Sequence, residues 1–277
     1  FTKTNAENFF GGETELATEL DVDVADVEDL INWAKGIDVD DVDNDNSTTD
    51  NRPDLMGDPL HSKPLVINYG GSSNNQDIRI IVGTNSGALH MFKDNGDTVD
   101  ENWVIMPNEF FKKYKTLKEN FTSSGKVYGI DSPATSYLLD VNGDGSINSS
   151  DGDKAWIFFG LRRGGNSYYG IDVTNPDSPS ILWKIDANTT GFSELGQSWS
   201  QPRVGYSELN IASGVPKPVL FFGGGYDISK DSAGPGGDDT VGRAIYMVDA
   251  YSGALKWSMS PAAASATNTQ ISGLTDG

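Results

Sequence analysis

From about Lys63 onward the chain is a succession of short apolar runs rich in β-branched and aromatic residues and broken by Gly, Asn, Asp or Pro. They read PLVINYG, IRIIVGT, ALHMFK, KAWIFFG, SYYGIDV, SILWKID, PVLFFGG, AIYMVDA and ALKWSMS. Runs of this length and composition are strands, so the chain is all-β over most of its length. Three stretches repeat one unit: IIVGTNSGALHMFK (80–93), IFFGLRRGGNSYYGIDV (157–173), and LFFGGGYD followed by GRAIYMVDAYSGALKWSM (220–259). In each, an apolar strand ends in Gly (Gly83, Gly160, Gly223), a Gly-rich turn follows, and the next strand carries a central aromatic or His. The last two units close on Asp172 and Asp249. A recurring hairpin that cannot bury both of its faces alone points to the stacked blades of a propeller. The spacing of the three glycines exceeds the ~40–50 residues of one blade, which implies long insertions or an intervening blade. A sandwich whose hairpins look alike is the competing architecture.

The stretch DAYSGALKW (249–257) points the same way. An Asp ending a strand, a Ser-Gly turn and a following Trp form the hairpin that staples neighbouring blades in quinoprotein-type propellers, which would make Trp257 a filler between blades. An ordinary hairpin with a buried Trp is the plainer reading.

Residues 1–57 follow another pattern. In VADVEDLINWAK (24–35), Val24, Val27, Leu30, Ile31 and Ala34 fall at helical spacing and Gly36 is a stop, which predicts one amphipathic helix. An acidic connector, DVDDVDNDNSTTDNRPD (38–54), then leads to GDPLHSKPLV. Asp41, Asp43, Asp45 and Asp50 imitate a calcium loop, but Asn46 stands where such loops carry Gly and no apolar residue follows at the eighth place. The connector therefore reads as a solvated acidic linker. The expected organisation is a helical and acidic segment over 1–57 and a modified, incomplete β-propeller of antiparallel blades over 58–277. The opening FTKTNAENFF lacks an initiator Met and a signal pattern, so it reads as a mature or excised fragment.

Charge and composition remove several functions. Forty acidic against 20 basic residues give a formal charge of −20, which repels a nucleic acid. The absence of Cys excludes disulfides, thiolate metal sites and cysteine nucleophiles. No apolar run approaches the ~18 residues of a membrane span. His61 and His90 read as structural imidazoles, and Arg162 and Arg163 as solvated cations of a turn. No catalytic set stands out, so the chain is not expected to be an enzyme.

One stretch demands its own chemistry. DVNGDGSINSSD (140–151) fills every place of an EF-hand-type calcium loop: Asp140 at 1, Asn142 at 3, Asp144 at 5, Gly145 at 6, Ser146 at 7, Ile147 at 8, Asn148 at 9 and Asp151 at 12. Ca²⁺ takes six to eight oxygens, and alternate side chains converge on it only if the chain turns sharply at the sixth place, where Gly permits positive φ. Ser146 would offer its backbone carbonyl and Ile147 would pin the loop to the sheet. Asp151 would close the shell, with Asp153 in reserve. The expected cofactor is one Ca²⁺, held by Asp140, Asn142, Asp144, Ser146, Asn148 and Asp151. A charged surface turn is the alternative.

Several segments together resemble the PilY/PilC proteins, adhesins and assembly factors of bacterial type IV pili. They are LINWAKG (30–36), GDPLHSKPLV (57–66), IVGTNSGALHMF (81–92), GLRRGGNSYYGIDVTNP (160–176), SWSQPRVG (198–205), and FFGGGYD (221–227) with IYMVDAYSGAL (245–255). The resemblance implies a modified propeller near the C-terminal end of a longer protein, with roles in pilus assembly, in opposing retraction and in surface attachment. Minor pilins or other tip components and a host or abiotic surface would be its partners. Its place would be extracellular, at the pilus tip or on the outer membrane. The loop at Asp140 is not part of this resemblance, because the calcium loop of the family lies beside a later strand. Two rivals remain: a quinoprotein-type dehydrogenase, disfavoured by the absence of a vicinal cysteine pair, and a dockerin-like module, which would need the loop twice, each time followed by a helix.

Overall fold

The computed structural model describes residues 2–54, 56–120, 125–232 and 237–271. Three sheets follow one another along the chain. The first is the antiparallel meander β1 (Leu65–Ser72), β2 (Asn75–Gly83), β3 (Leu89–Asp94) and β4 (Val99–Ile105). The second repeats it as β5 (Thr135–Leu139), β6 (Lys154–Gly160), β7 (Tyr168–Asp172) and β8 (Ser180–Ile185). The third comprises β9 (Arg203–Ala212), β10 (Val215–Gly223), β11 (Ile245–Asp249) and β12 (Leu255–Ser260), and a short β13 (Asn268–Gln270) adds in parallel to β12. Among the described residues the fold is thus a mostly antiparallel, propeller-like array of three blades with no ring closure, and its third blade has five strands where four are expected.

The repeated glycines end the second strand of each blade. At Gly83 an added Cβ would lie 2.4 Å from Ile130 Cγ2, and at Gly160 it would lie 2.6 Å from the Ser198 carbonyl. At these two positions glycine is there because the next segment crosses directly over the strand end, whereas at Gly223 the nearest atom would be 3.7 Å away.

Period-two alternation explains why KAWIFFG is apolar throughout. Ala155, Ile157 and Phe159 of β6 join a buried cluster that includes Ile67, Ile81 and Met91 of blade 1. Trp156 and Phe158 face the other way, into a cluster with Leu220, Phe222 and Tyr246 of blade 3. The middle blade is covered on both faces, so neither face of its central strand is polar.

Outer-strand tryptophans fasten each blade to the next. Trp103 of β4 donates its indole N–H to the Pro176 carbonyl at 2.8 Å, and Trp183 of β8 donates to the Ala250 carbonyl at 3.0 Å. Trp183 is held by two glycines, since a Cβ at Gly170 or Gly253 would come within 2.4 or 2.8 Å of its ring. The DAYSG turn does staple blades, but the Trp it receives comes from the preceding blade. Trp257 donates to Thr269 Oγ1 at 3.1 Å, within its own sheet.

The amino-terminal region holds three helices, not one: α1 (Lys3–Phe10), α2 (Glu13–Leu20) and α3 (Val27–Ala34), the last preceded by a 3₁₀ turn at Val24–Asp26. A fourth, α4 (Phe111–Glu119), lies in the insertion between blades 1 and 2. Leu16, Leu20, Leu30 and Ile31 pack with Phe111 and Tyr114 in the same buried cluster as blade 1. The connector is a closed excursion and not a loose linker. Ile37 bridges Asn51, Asp38 N–H donates to the Asp50 carbonyl at 2.9 Å, and Arg52 N–H donates to the Gly36 carbonyl at 2.9 Å.

Candidate metal loop

The Asp140 loop replaces the two-residue turn that joins the first two strands of blade 1, so it is an insertion in the first hairpin of blade 2. Asp140 sits at its mouth and takes two backbone donors, Gly143 N–H at 2.7 Å and Gly145 N–H at 2.8 Å. Asn142 Oδ1 accepts from Asp144 N–H at 3.1 Å, and Asp144 Oδ1 accepts from Ser146 N–H at 2.8 Å. The side chains at places 1, 3 and 5 therefore turn inward, and Gly145 makes the sharp turn at φ +82°. The Asn142 amide nitrogen lies 3.1 Å from Asp144 Oδ2 and 3.4 Å from Asp151 Oδ2, which brings place 12 across from places 3 and 5. An ion held among these groups requires the Asn142 amide to turn so that its oxygen replaces its nitrogen. Asn148 caps the 3₁₀ turn Ser149–Asp151 through Ser150 N–H at 3.1 Å. After that turn comes strand β6, not the helix that a dockerin would have.

Two contacts tie the loop to the neighbouring blade. Ile147 N–H donates to the Tyr69 carbonyl of β1 at 3.1 Å, and its side chain packs against the first core cluster. Ser146 lies against Gly70, where a Cβ would come within 2.4 Å of Ser146 Oγ.

Asp153 serves as the clasp at the base of the loop. It is fully buried, and its two oxygens accept from Val141 N–H at 2.8 Å and Asn148 N–H at 2.9 Å. These bonds, that from Val141 first, hold its carboxyl below the ordinary value of 3.8. The ionised form is favoured in the folded chain, so its contribution is present above the ordinary Asp range and is lost as pH falls through the depressed value. Hydrogen exchange should find the Val141 and Asn148 amides protected at neutral pH and released at low pH. Equal protection of both amides in Asp153→Asn would contradict the clasp.

The connector has come to resemble the same device. Asn46 N–H reaches Asp41 at 3.1 Å, Asp45 N–H reaches Asp43 at 3.3 Å, and Ser47 N–H reaches Asp45 at 2.7 Å. Asn46 adopts φ +68°, the left-handed turn that Asn tolerates better than most residues. Among the described residues, Asp41, Asp43 and Asp45 are the group whose ligand atoms all lie within 4.8 Å of one another. Asp140, Asp144 and Asp151 are more widely spread. Desolvation first, then the charges of Asp45, Asp50 and Asp38, raise the Asp43 carboxyl above its ordinary value.

Both histidines have carboxylate partners: His61 Nδ1 lies 2.8 Å from Asp131, and His90 Nδ1 lies 2.7 Å from Glu101. The arginine pair differs from its expected solvated state. Arg162 stacks over Trp199 at 4.4 Å and lies 3.5 Å from buried Asp131, while Arg163 pairs with Asp231. The sequence could not reveal this, because Trp199 and Asp131 lie on separate segments.

No family model matches the chain. It is 28% identical over 204 residues to the type IV pilus biogenesis factor PilY1 of Pseudomonas aeruginosa strain UCBPP-PA14, covering 66% of this chain and 16% of the relative. With PilY1 of strain PAO1 it shares 26% identity over 227 residues, covering 74% of this chain and 17% of the relative. A PilY1 homolog of Xylella fastidiosa is 26% identical over 173 residues, 55% of this chain and 13% of the relative. The chain thus spans less than a fifth of the length of these relatives. The crystal structure of the Pseudomonas aeruginosa PilY1 C-terminal domain aligns with a TM-score of 0.42 at 23% identity, over 66% of this chain and 30% of that one. Over much of its length the chain is thus similar to type IV pilus biogenesis factors of the PilY1 kind.

Proposed function

We propose that the chain is a non-catalytic module of a type IV pilus biogenesis protein, acting outside the cell in pilus assembly and surface attachment, and that Ca²⁺ bound at residues 140–151 tunes it. Minor pilins or other tip components and a host or abiotic surface are its partners. The observation that carries the calcium reading is the position of the loop. It belongs to blade 2 but rests on blade 1 through Ile147, Ser146 and Gly70. Asp140, Asn142, Asp144 and Asp151 would hold the ion with the Ser146 carbonyl, and Asn148 would complete the shell directly or through water. Bound there, the cation supplies positive charge where carboxylates otherwise repel one another, and so stiffens the seam between two blades. The rigid array is then the surface that partners meet.

The test uses the full-length protein in its own cells. Asp140→Ala with Asp144→Ala should lower surface piliation and attachment in calcium-replete medium to the level that chelation produces in the unmodified strain. Normal piliation and attachment in the variant, unchanged by chelator, would refute the reading.

A further inference from the structure

A cleft of about 710 Å³ opens where the end of α3, the returning arm of the connector and the outer half of blade 1 meet α4. Its wall is apolar, with Trp33, Phe92, Val104 and Met106 among the residues that line it. Its polar groups are unusual. Tyr114 is 2% exposed, yet its hydroxyl has no hydrogen-bond partner. Arg52 has a buried Nε–H that is also without a partner. Its guanidinium lies 4.1 Å from the centre of the Trp33 ring, and among the described residues it forms no ion pair. The chain carries a net charge of −20, yet this half-buried guanidinium has no carboxylate of the described residues within ion-pair distance. Asp38 and Asp54 are the acids whose charges it feels. Across the cleft, Glu101 is engaged by His90 at 2.7 Å, so that pair is satisfied internally.

Two unpartnered donors, one of them cationic, call for an acceptor that carries negative charge. The surrounding wall calls for an apolar body, and the volume is that of a small-ligand site. We propose that this cleft binds an apolar carboxylate, with the anion on Arg52 and Tyr114 and the apolar group against Trp33, Phe92, Val104 and Met106. Stacking on Trp33 holds the guanidinium in place before the ligand arrives, so little ordering is left to binding. The chemistry is common to two sources, the free C-terminus of a peptide with an apolar last residue and a small organic acid. This site is independent of the Asp140 loop.

The experiment titrates the 277-residue chain with N-acetyl-phenylalanine, its carboxamide and 3-phenylpropionate, following the Trp33 indole and Phe92 amide by NMR. Both carboxylates should saturate these signals with a dissociation constant on the order of 1 mM, and the carboxamide should bind about tenfold more weakly or not at all. A preference for N-acetyl-phenylalanine assigns a peptide terminus, and equal or tighter binding of phenylpropionate assigns a small acid. Arg52→Gln should weaken the carboxylates by about tenfold, to the level of the carboxamide. Tyr114→Phe should weaken them several-fold without lowering the melting temperature, because the hydroxyl it removes has no partner in the free protein. Carboxylate and carboxamide binding alike, or carboxylate affinity unchanged in either variant, would overturn the proposal.

Discussion

Calcium at about a hundred times its dissociation constant is expected to raise the melting temperature of the purified chain by about 5 °C. The magnitude follows from mass action: an ion that binds only the folded state stabilises it by roughly 2.7 kcal/mol at that concentration. For a chain of this size each kcal/mol moves the midpoint by about 2 °C or somewhat more. Asp140→Ala and Asp144→Ala should each abolish most of the shift. Each removes a carboxylate and also the acceptor for backbone donors, at Gly143 and Gly145 or at Ser146. Calorimetry should find one equivalent of ion lost in these variants. A second equivalent, lost only in Asp43→Ala, would instead assign binding to the connector. No heat and no shift in the unmodified chain would leave residues 140–151 a charged turn.

Trp183→Ala is expected to be the most damaging single substitution between blades, costing about 3 to 5 kcal/mol. The side chain is 7% exposed and stacks on Phe158 at 5.9 Å. Removing it also strips the Ala250 carbonyl of its donor. Gly170 and Gly253 leave no side chain of their own to fill the hole. Trp257→Ala should cost much less, because that indole is bonded inside its own sheet and only partly buried. Urea melts of the two variants make the comparison. Equal losses would mean that the outer-strand tryptophans do not fasten one blade to the next.

The blades were legible because their signals are local. Gly83, Gly160 and Gly223 mark the ends of equivalent strands, and KAWIFFG shows by its lack of polar residues that it is covered on both sides. The helices α1, α2 and α4 were not legible. Each is short, and in FKKYKTLKE only Phe111 and Tyr114 are buried, which leaves no apolar stripe to recognise. Their stability comes from packing on one another and on blade 1, which no window of sequence contains. The spacing marked residues 140–151 as a distinct loop, whereas the role of Asp153 was not legible. It looked like a spare ligand until the donors Val141 and Asn148 appeared on its two oxygens. Asn46 adopts the left-handed conformation that Gly145 adopts in the other loop, which its residue type alone did not reveal.

The forward reach of the outer-strand tryptophans has a consequence in time. Each blade is completed by residues that follow it: Trp103 finds its acceptor 73 residues later, and Trp183 finds its own 67 residues later. At a synthesis rate of about 5 to 20 residues per second, each indole waits roughly 3 to 15 seconds for its partner. During that interval the newest blade keeps one face bare, and the blade before it is already closed. The array therefore grows with a single sticky end, and a chaperone that holds the nascent chain would meet one uncovered sheet at a time.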